Sequence, residues 1–255
     1  MKSLCSVSLI LLITSQGWAG SWYEKKVEGK LLYDLFKEAD IPLPALERTF
    51  EFLDLNEEKE FKVNLHQEQT TKKIANKDYA VIIDYSKPSS SRRLYFLNLK
   101  EGKVEKYYVA HGVNTGEDEA ISFSNQMDSR KSSLGFFITG SSYQGSHGES
   151  LFLHGLEKSN DRAFERAIVM HGADYVSLDF LEKYGRMGRS WGCPAVSPAI
   201  NKKLLPLIKN GAVFYAYHKD LMAVTQTSPT IQNVGNDQKN TPENSNKVVL
   251  EELNP

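Results

Sequence analysis

Hydrophobic positions near the start of the chain follow a helical period. Apolar residues recur three and four positions apart on either side of Pro42 and Pro44, which interrupt the pattern. We predict two short helices here, which pack on the rest of the chain. Their apolar positions are Leu31, Leu32, Leu35, Phe36 and Ala39 in the first helix and Leu46, Phe50 and Leu53 in the second.

Beyond about Tyr79 the pattern changes to short apolar or aromatic runs, which are typical of strands. Lys100-Glu101-Gly102 separates two of these runs and predicts a hairpin turn. The predicted strands span residues 79–83, 94–99, 104–110, 136–139, 151–153, 167–170 and 212–217.

Two helices are inserted among the later strands, at residues 176–184 and 198–209. Ser197 is the expected N-cap of the second helix, Pro198 occupies its first position, and Gly211 closes it. The predicted fold class is therefore mainly β with inserted helices, an α+β domain.

Changes of period and composition divide the chain into four segments. After a leader at residues 1–19, we predict a helical segment over 20–72 and the main domain over 73–220. Residues 221–255 are rich in Asn, Gln, Ser, Thr and Pro and have little to bury, so we predict a disordered tail there.

The leader reads as a secretory signal. Lys2 precedes an apolar run from Leu4 to Ile13, and small residues lead to a cleavage point after Ala19. The run is shorter than the roughly 20 apolar residues of a membrane-spanning helix, although an uncleaved anchor is the alternative. We expect an exported protein of the periplasm or cell envelope, without stable membrane insertion after the signal is cut.

Charge excludes two classes of partner. The chain carries 31 basic and 32 acidic residues. Nucleic acids and anionic membrane surfaces normally require a basic excess, so we expect neither as a partner.

The candidate chemistry centres on Cys193, the one cysteine that follows the signal. It lies in Ser190-Trp191-Gly192-Cys193-Pro194, downstream of His171-Gly172. A thiol with its usual pKa of about 8.5 needs a nearby imidazole or backbone dipoles to act as a nucleophile at neutral pH, and His171 is the best-placed base. The N–H groups of Gly192 and Cys193 are the expected oxyanion donors. A buried, inert cysteine is the alternative.

These motifs resemble the murein L,D-transpeptidase catalytic domain family, with its YkuD-like fold. That family places a histidine upstream of Ser/Thr-His-Gly-Cys, and here Trp191 stands where most members have the second histidine. The spacer that follows His171 is also slightly longer than usual. Further similar stretches are 111–117, 123–125, 132–136 and 166–175.

The resemblance implies a β-sandwich catalytic domain and acyl transfer on peptidoglycan stem peptides. In this reading Cys193 is the nucleophile, His171 the base and the Gly172 carbonyl the group that orients the base. The thiolate attacks a tetrapeptide stem, D-alanine leaves, and the thioester passes to an amine. Water as acceptor gives an L,D-carboxypeptidase or endopeptidase instead. No cofactor is implied.

Four further residues are candidates for substrate binding. Arg189 could pair with a stem-peptide carboxylate, while His147 and Tyr143 could line the donor groove. His154, which also ends an apolar run before a glycine, is a second choice as base or substrate contact. The alternative for each is an ordinary loop or structural residue. Ser190 is expected to make a hydrogen bond within the nucleophile loop.

Two other functional classes stay open. His154, His171 and Cys193 are suitable zinc ligands, but no HExxH motif or paired cysteines support a metal site, and we predict none. A non-catalytic peptidoglycan-binding domain is the other alternative, motivated by Trp191.

Overall fold

The computed structural model describes residues 20–65 and 68–219. The signal predicted at residues 1–19 and the tail predicted at 221–255 lie outside these ranges. No helix within the described ranges is long and apolar enough to span a membrane.

The N-terminal segment contains the two predicted helices and two hairpins that the apolar pattern did not indicate. The second hairpin was missed because one of its strands, Glu-Gln-Thr-Thr-Lys, has no apolar residue. After a short 3-10 turn at Trp22–Glu24, the elements are β1 (Lys26–Val27), β2 (Lys30–Leu31), α1 (Leu32–Lys37), α2 (Leu43–Asn56), β3 (Phe61–Leu65) and β4 (Glu68–Lys72).

The seven predicted strands and one further strand, Ala195–Val196, join into one eight-stranded mixed sheet, so the mainly β fold with inserted helices is confirmed. The strands are β5 (Tyr79–Asp84), β6 (Leu94–Asn98), β7 (Lys103–Tyr107), β8 (Gly135–Gly145), β9 (Gly148–Gly155), β10 (Val169–Gly172), β11 (Ala195–Val196) and β12 (Val213–Tyr217). Their order is β11-β10-β9-β8-β12-β5-β6-β7, with parallel pairs β10–β11 and β12–β5.

Both faces of this sheet are covered, which explains its uninterrupted apolar runs. Alternate residues of β5 enter two cores: Ala80 and Ile82 face a core that includes α1 and α2, whereas Val81 and Ile83 face one that includes α4 (Pro198–Ile208). The two N-terminal helices therefore pack on one face of the main sheet.

Each of the two late helices begins at a serine N-cap. Ser197 accepts a hydrogen bond from the Ile200 N–H, with Pro198 at the first position of α4. In α3 (Leu178–Tyr184), Ser177 caps the N-terminus in the same way. The predicted end of α4 was wrong: the helix stops at Ile208, and Gly211 instead turns the chain into β12 with a φ of +107°.

His154 lies inside β9 and is only 3% exposed. Its ring stacks on Phe164, and its buried Nδ1 has no hydrogen-bond partner among the described residues. Burial, with a smaller contribution from Lys72, lowers the pKa of His154 to about 4. The folded protein therefore holds this imidazole neutral at pH values where the unfolded chain would protonate it.

We predict that the folded protein loses stability through His154 as the pH falls from about 6.5 towards 4, because the unfolded state then binds the extra proton. At pH 5 the loss should be about 2 kcal/mol. Urea unfolding of wild type and His154→Gln at pH 7 and pH 5 would measure it. The variant should show a smaller fall between the two pH values; an equal fall in both proteins would contradict the prediction.

Candidate active site

The candidate base and nucleophile lie on neighbouring segments at one edge of the sheet. His171 on β10 is paired with Ser150 of β9 on one side and with Ala195 of β11 on the other. Cys193 lies two residues before Ala195, at the entry to the edge strand. The short parallel pairing of β10 and β11 therefore brings the two candidates to the same edge.

A hydrogen bond to the backbone of the next residue sets the tautomer of the His171 ring. Its Nδ1 lies 3.0 Å from the Gly172 carbonyl oxygen. Because a carbonyl only accepts, Nδ1 carries the proton and Nε2 is the basic nitrogen of the neutral ring. Burial lowers the pKa of His171, the Gly172 hydrogen bond opposes this, and nearby His147 lowers it further. The imidazole is therefore kept neutral and able to accept a proton at Nε2.

His147 lies against the base. It occupies the tip of the β8–β9 hairpin, and its ring stacks on His171 with centroids 4.4 Å apart and planes 19° apart. It also lines a cavity of about 730 Å³ that includes Gly172, Tyr175 and Lys202. Tyr143 lies further along the same hairpin, where it stacks on Phe152 at 4.4 Å. The structure thus brings His147, and not Tyr143, into contact with the base.

Serine hydroxyls hold the nucleophile loop. Ser190 Oγ donates to the Cys193 carbonyl at 2.7 Å and accepts from the Gly192 N–H at 3.0 Å. Ser132 Oγ donates to the Gly192 carbonyl at 3.1 Å and accepts from the Gly112 N–H at 3.0 Å. The local role predicted for Ser190 matches these contacts.

Gly192 is required for this conformation. Its φ is +122°, and a Cβ there would lie 2.8 Å from the Lys131 carbonyl oxygen and 2.9 Å from Ile168. A side chain at this position would force the loop away from its neighbours.

One of the two expected oxyanion donors has a partner within the protein. The Gly192 N–H donates to Ser190 Oγ. The N–H of Cys193 has no acceptor among residues 20–65 and 68–219 and is the donor that remains.

The Cys193 thiol is half-buried and points to backbone groups. Its Sγ donates to the Ala167 carbonyl at 3.5 Å. No described hydrogen bond joins the thiol to His171, although catalytic hydrogen bonds often form only with substrate bound. Burial raises the pKa of the thiol, while the Val169 N–H and the charge of Arg166 act in the opposite direction.

Arg166 is a site residue whose role sequence reasoning missed. Its guanidinium donates to the carbonyls of Ser124 at 2.7 Å and Lys131 at 2.5 Å, and to the hydroxyls of Ser129 and Ser133. It is also the cation whose charge acts on the Cys193 thiol. One signal in the sequence could have indicated this residue: Arg166 directly precedes the apolar run that leads to His171.

Trp191 is 71% exposed, next to the nucleophile. The Arg130 guanidinium lies 4.5 Å from the centre of its ring, a cation–π contact. Trp191 lines a second cavity, of about 480 Å³, with Asp128, Glu165 and Ala167 among its other walls. Ala167, one of these walls, also accepts the thiol hydrogen bond of Cys193.

Arg189 has a carboxylate partner within the protein. Its guanidinium lies 2.6 Å from Glu117, which also pairs with Arg186 at 3.1 Å. It donates to the Gly116 carbonyl at 3.2 Å as well. These contacts fasten the loop before Ser190 and occupy the group that was expected to bind a substrate carboxylate.

The buried position of His154 on β9 separates it from these groups and favours a structural role over substrate contact. In the described part of the chain, no three His, Cys, Asp or Glu side chains come together as a candidate metal site. His154, His171 and Cys193 therefore do not converge as zinc ligands.

Comparison with known proteins points to one family. A family model of the L,D-transpeptidase catalytic domain matches residues 54–217, starting before the domain boundary predicted at residue 73. No curated protein matched the chain.

Solved structures with a similar arrangement include an L,D-transpeptidase from Mycobacterium smegmatis, at 10% identity and a TM-score of 0.35 over 60% of this chain and 64% of that one. Another is the helical cell shape determining protein Pgp2 from Campylobacter jejuni, at 14% identity and a TM-score of 0.36 over 70% of this chain and 57% of that one. The chain thus covers less than two thirds of each.

We predict that Arg166→Gln raises the pKa of the Cys193 thiol, because the nearby cation that favours the thiolate is lost. Alkylation by iodoacetamide at pH 8, followed by intact mass, should slow on the order of fivefold. The lost hydrogen bonds should also lower the free energy of unfolding by about 1–3 kcal/mol. Arg162→Gln is the matched control, since Arg162 pairs with Glu165 at the surface. Equal alkylation rates in wild type and Arg166→Gln would count against this role.

Proposed function

The chain belongs to the L,D-transpeptidase catalytic domain family, and on that premise we propose that it catalyses cysteine-dependent acyl transfer on peptidoglycan stem peptides. The observation that carries the proposal is the geometry of the sheet edge: the neutral His171, oriented by Gly172, lies beside the strand that Cys193 enters. The predicted signal supports a location in the periplasm or cell envelope, where that substrate lies.

The first half-reaction forms a thioester. Nε2 of His171 accepts the Cys193 proton as sulfur attacks the carbonyl carbon at the L-centre of diaminopimelate in a tetrapeptide stem. The Cys193 N–H stabilises the negative oxygen of the tetrahedral intermediate. The intermediate collapses by breaking the C–N bond, and His171 returns the proton to the departing D-alanine amine.

A neutral pair suits this chemistry. Burial raises the pKa of Cys193 and lowers that of His171, so both effects favour thiol and imidazole over thiolate and imidazolium. Proton transfer then accompanies attack, as in general-base catalysis.

The second half-reaction transfers the acyl group to an acceptor. Two cavities lie near the candidate residues, one lined by His147 and Gly172 and one lined by Trp191 and Ala167. Asp128 and Glu165 line the second together with Arg130 and Arg166, and the two carboxylates could bind an amine. This supports transfer to an amine, such as the side chain of another diaminopimelate, over transfer to water. The alternative is hydrolysis by an L,D-carboxypeptidase or endopeptidase using the same thioester.

The direct test is incubation with purified tetrapeptide muropeptides, with products and intact protein mass read together. We expect crosslinked dimers, release of D-alanine and an acyl adduct on the protein that Cys193→Ala lacks. Loss of D-alanine without dimers would indicate the hydrolase. Wall binding without an adduct would favour the non-catalytic alternative, and inactivation by chelators with stoichiometric zinc would favour the metal alternative.

Variants of His171 and His154 should separate the roles of these two buried histidines. We expect His171→Ala to slow acylation on the order of 10²- to 10⁴-fold, the range of general acid–base catalysis. His154→Ala should reduce it far less, and Cys193→Ala should abolish activity with little change in melting temperature. Single-turnover acylation and thermal unfolding measure these effects. A reversed order of the histidine effects would show that His154 is the base.

A further inference from the structure

A tight turn fixes His147 over the candidate base. In the β8–β9 hairpin, Gly145 pairs with Gly148 and leaves Ser146 and His147 as the two turn residues. Gly148 takes a φ of +76°, a conformation that glycine adopts without strain. Two residues after Gly148, Ser150 is the register partner of His171. The position of the His147 ring is therefore set by hairpin geometry and strand register together.

The contact is between an exposed ring and a buried one. His147 is exposed, whereas His171 is 2% exposed. The stack, at 4.4 Å and 19°, lays one imidazole nearly flat on the other. Such a stack restricts tilting of the His171 ring out of its plane, which the single hydrogen bond to Gly172 does not do.

We propose that His147 is a positioning residue for His171: its stacked ring holds the imidazole in the orientation in which Nε2 can exchange a proton with Cys193. This inference rests on the proposed function insofar as His171 is taken as the base. It assigns His147 a role beyond the substrate contact that the sequence indicated. A displacement of a catalytic group by about 1 Å can cost up to 100-fold in rate, so a device that fixes the ring is useful.

The two stacked imidazoles also interact electrostatically. Two protonated rings at this distance repel, and His147 contributes to the lowered pKa of His171. Other titratable or charged groups lie around the pair, and their effects must be kept constant in a test. They are Glu149 of β9, Asp174 and Tyr175 after β10, Lys202 of α4 and Cys193 of the nucleophile loop.

The test compares His147→Phe, His147→Ala and Gln144→Ala in the full chain without its predicted signal. Phenylalanine keeps a flat ring but cannot be protonated, and alanine removes the ring. Gln144 is an exposed residue of the same hairpin, paired with Glu149, and is the matched control. The readouts are the iodoacetamide alkylation rate of Cys193 from pH 5 to 9 and the His171 titration by NMR of labelled histidine.

We expect His147→Ala to slow alkylation at neutral pH about tenfold. His147→Phe should stay within about twofold of wild type and raise the pKa of His171, because the repelling charge is gone. Gln144→Ala should change neither readout.

Unchanged or faster alkylation in His147→Ala would overturn the proposal and show that the ring merely covers the base. Alkylation as slow in His147→Phe as in His147→Ala would also overturn it, because a flat ring would then be insufficient. Neither readout requires peptidoglycan. If these effects are found while muropeptides form no adduct, the proposed function fails and the positioning role stands.

Discussion

The site depends on the pairing of two residues of β10 with two residues of β11. His171 pairs with Ala195 and Gly172 with Val196, and β11 is the outermost strand of the sheet. An edge strand this short contributes few backbone hydrogen bonds of its own. The loop before it must therefore be held from elsewhere. Ser132 and Ser190 provide that support through bonds to the Gly192 and Cys193 backbone, and the Gly112 N–H donates in turn to Ser132 Oγ.

Burial is the second constraint, and it acts on both reacting groups in the same direction. It favours the neutral thiol of Cys193 and the neutral imidazole of His171. Arg166 opposes this effect at the thiol, but its own donors are engaged by four loop groups, so it remains a fixed charge beside the site. With a neutral thiol and a neutral imidazole in the resting site, charge develops only in the transition state. Preorganised dipoles stabilise charge most effectively at that stage.

Much of the fold could be predicted from the sequence because the sheet is covered on both faces. Runs such as Ala80 to Ile83 are fully buried, so they read as strands without alternation. β11 could not be found in this way, since two residues carry no periodic signal and the strand exists through its pairing with β10. The strand predicted at 167–170 begins at Val169, two residues later than predicted. Ala167 takes a φ of +52°, which is not an extended conformation, and its carbonyl accepts from the thiol.

The candidate site shows the same division between local and long-range information. Cys193 and His171 were predicted from local motifs and Gly172 from the family resemblance, and the contact of His171 Nδ1 with the Gly172 carbonyl supports the roles proposed. The partners of Arg189 and His147 depend on loop closure and hairpin register, which no local motif contains. Glu117 forms an ion pair with the Arg189 guanidinium, and a two-residue turn places His147 against the base. The residues that carry the chemistry are thus encoded locally, whereas those that position them are determined by strand order.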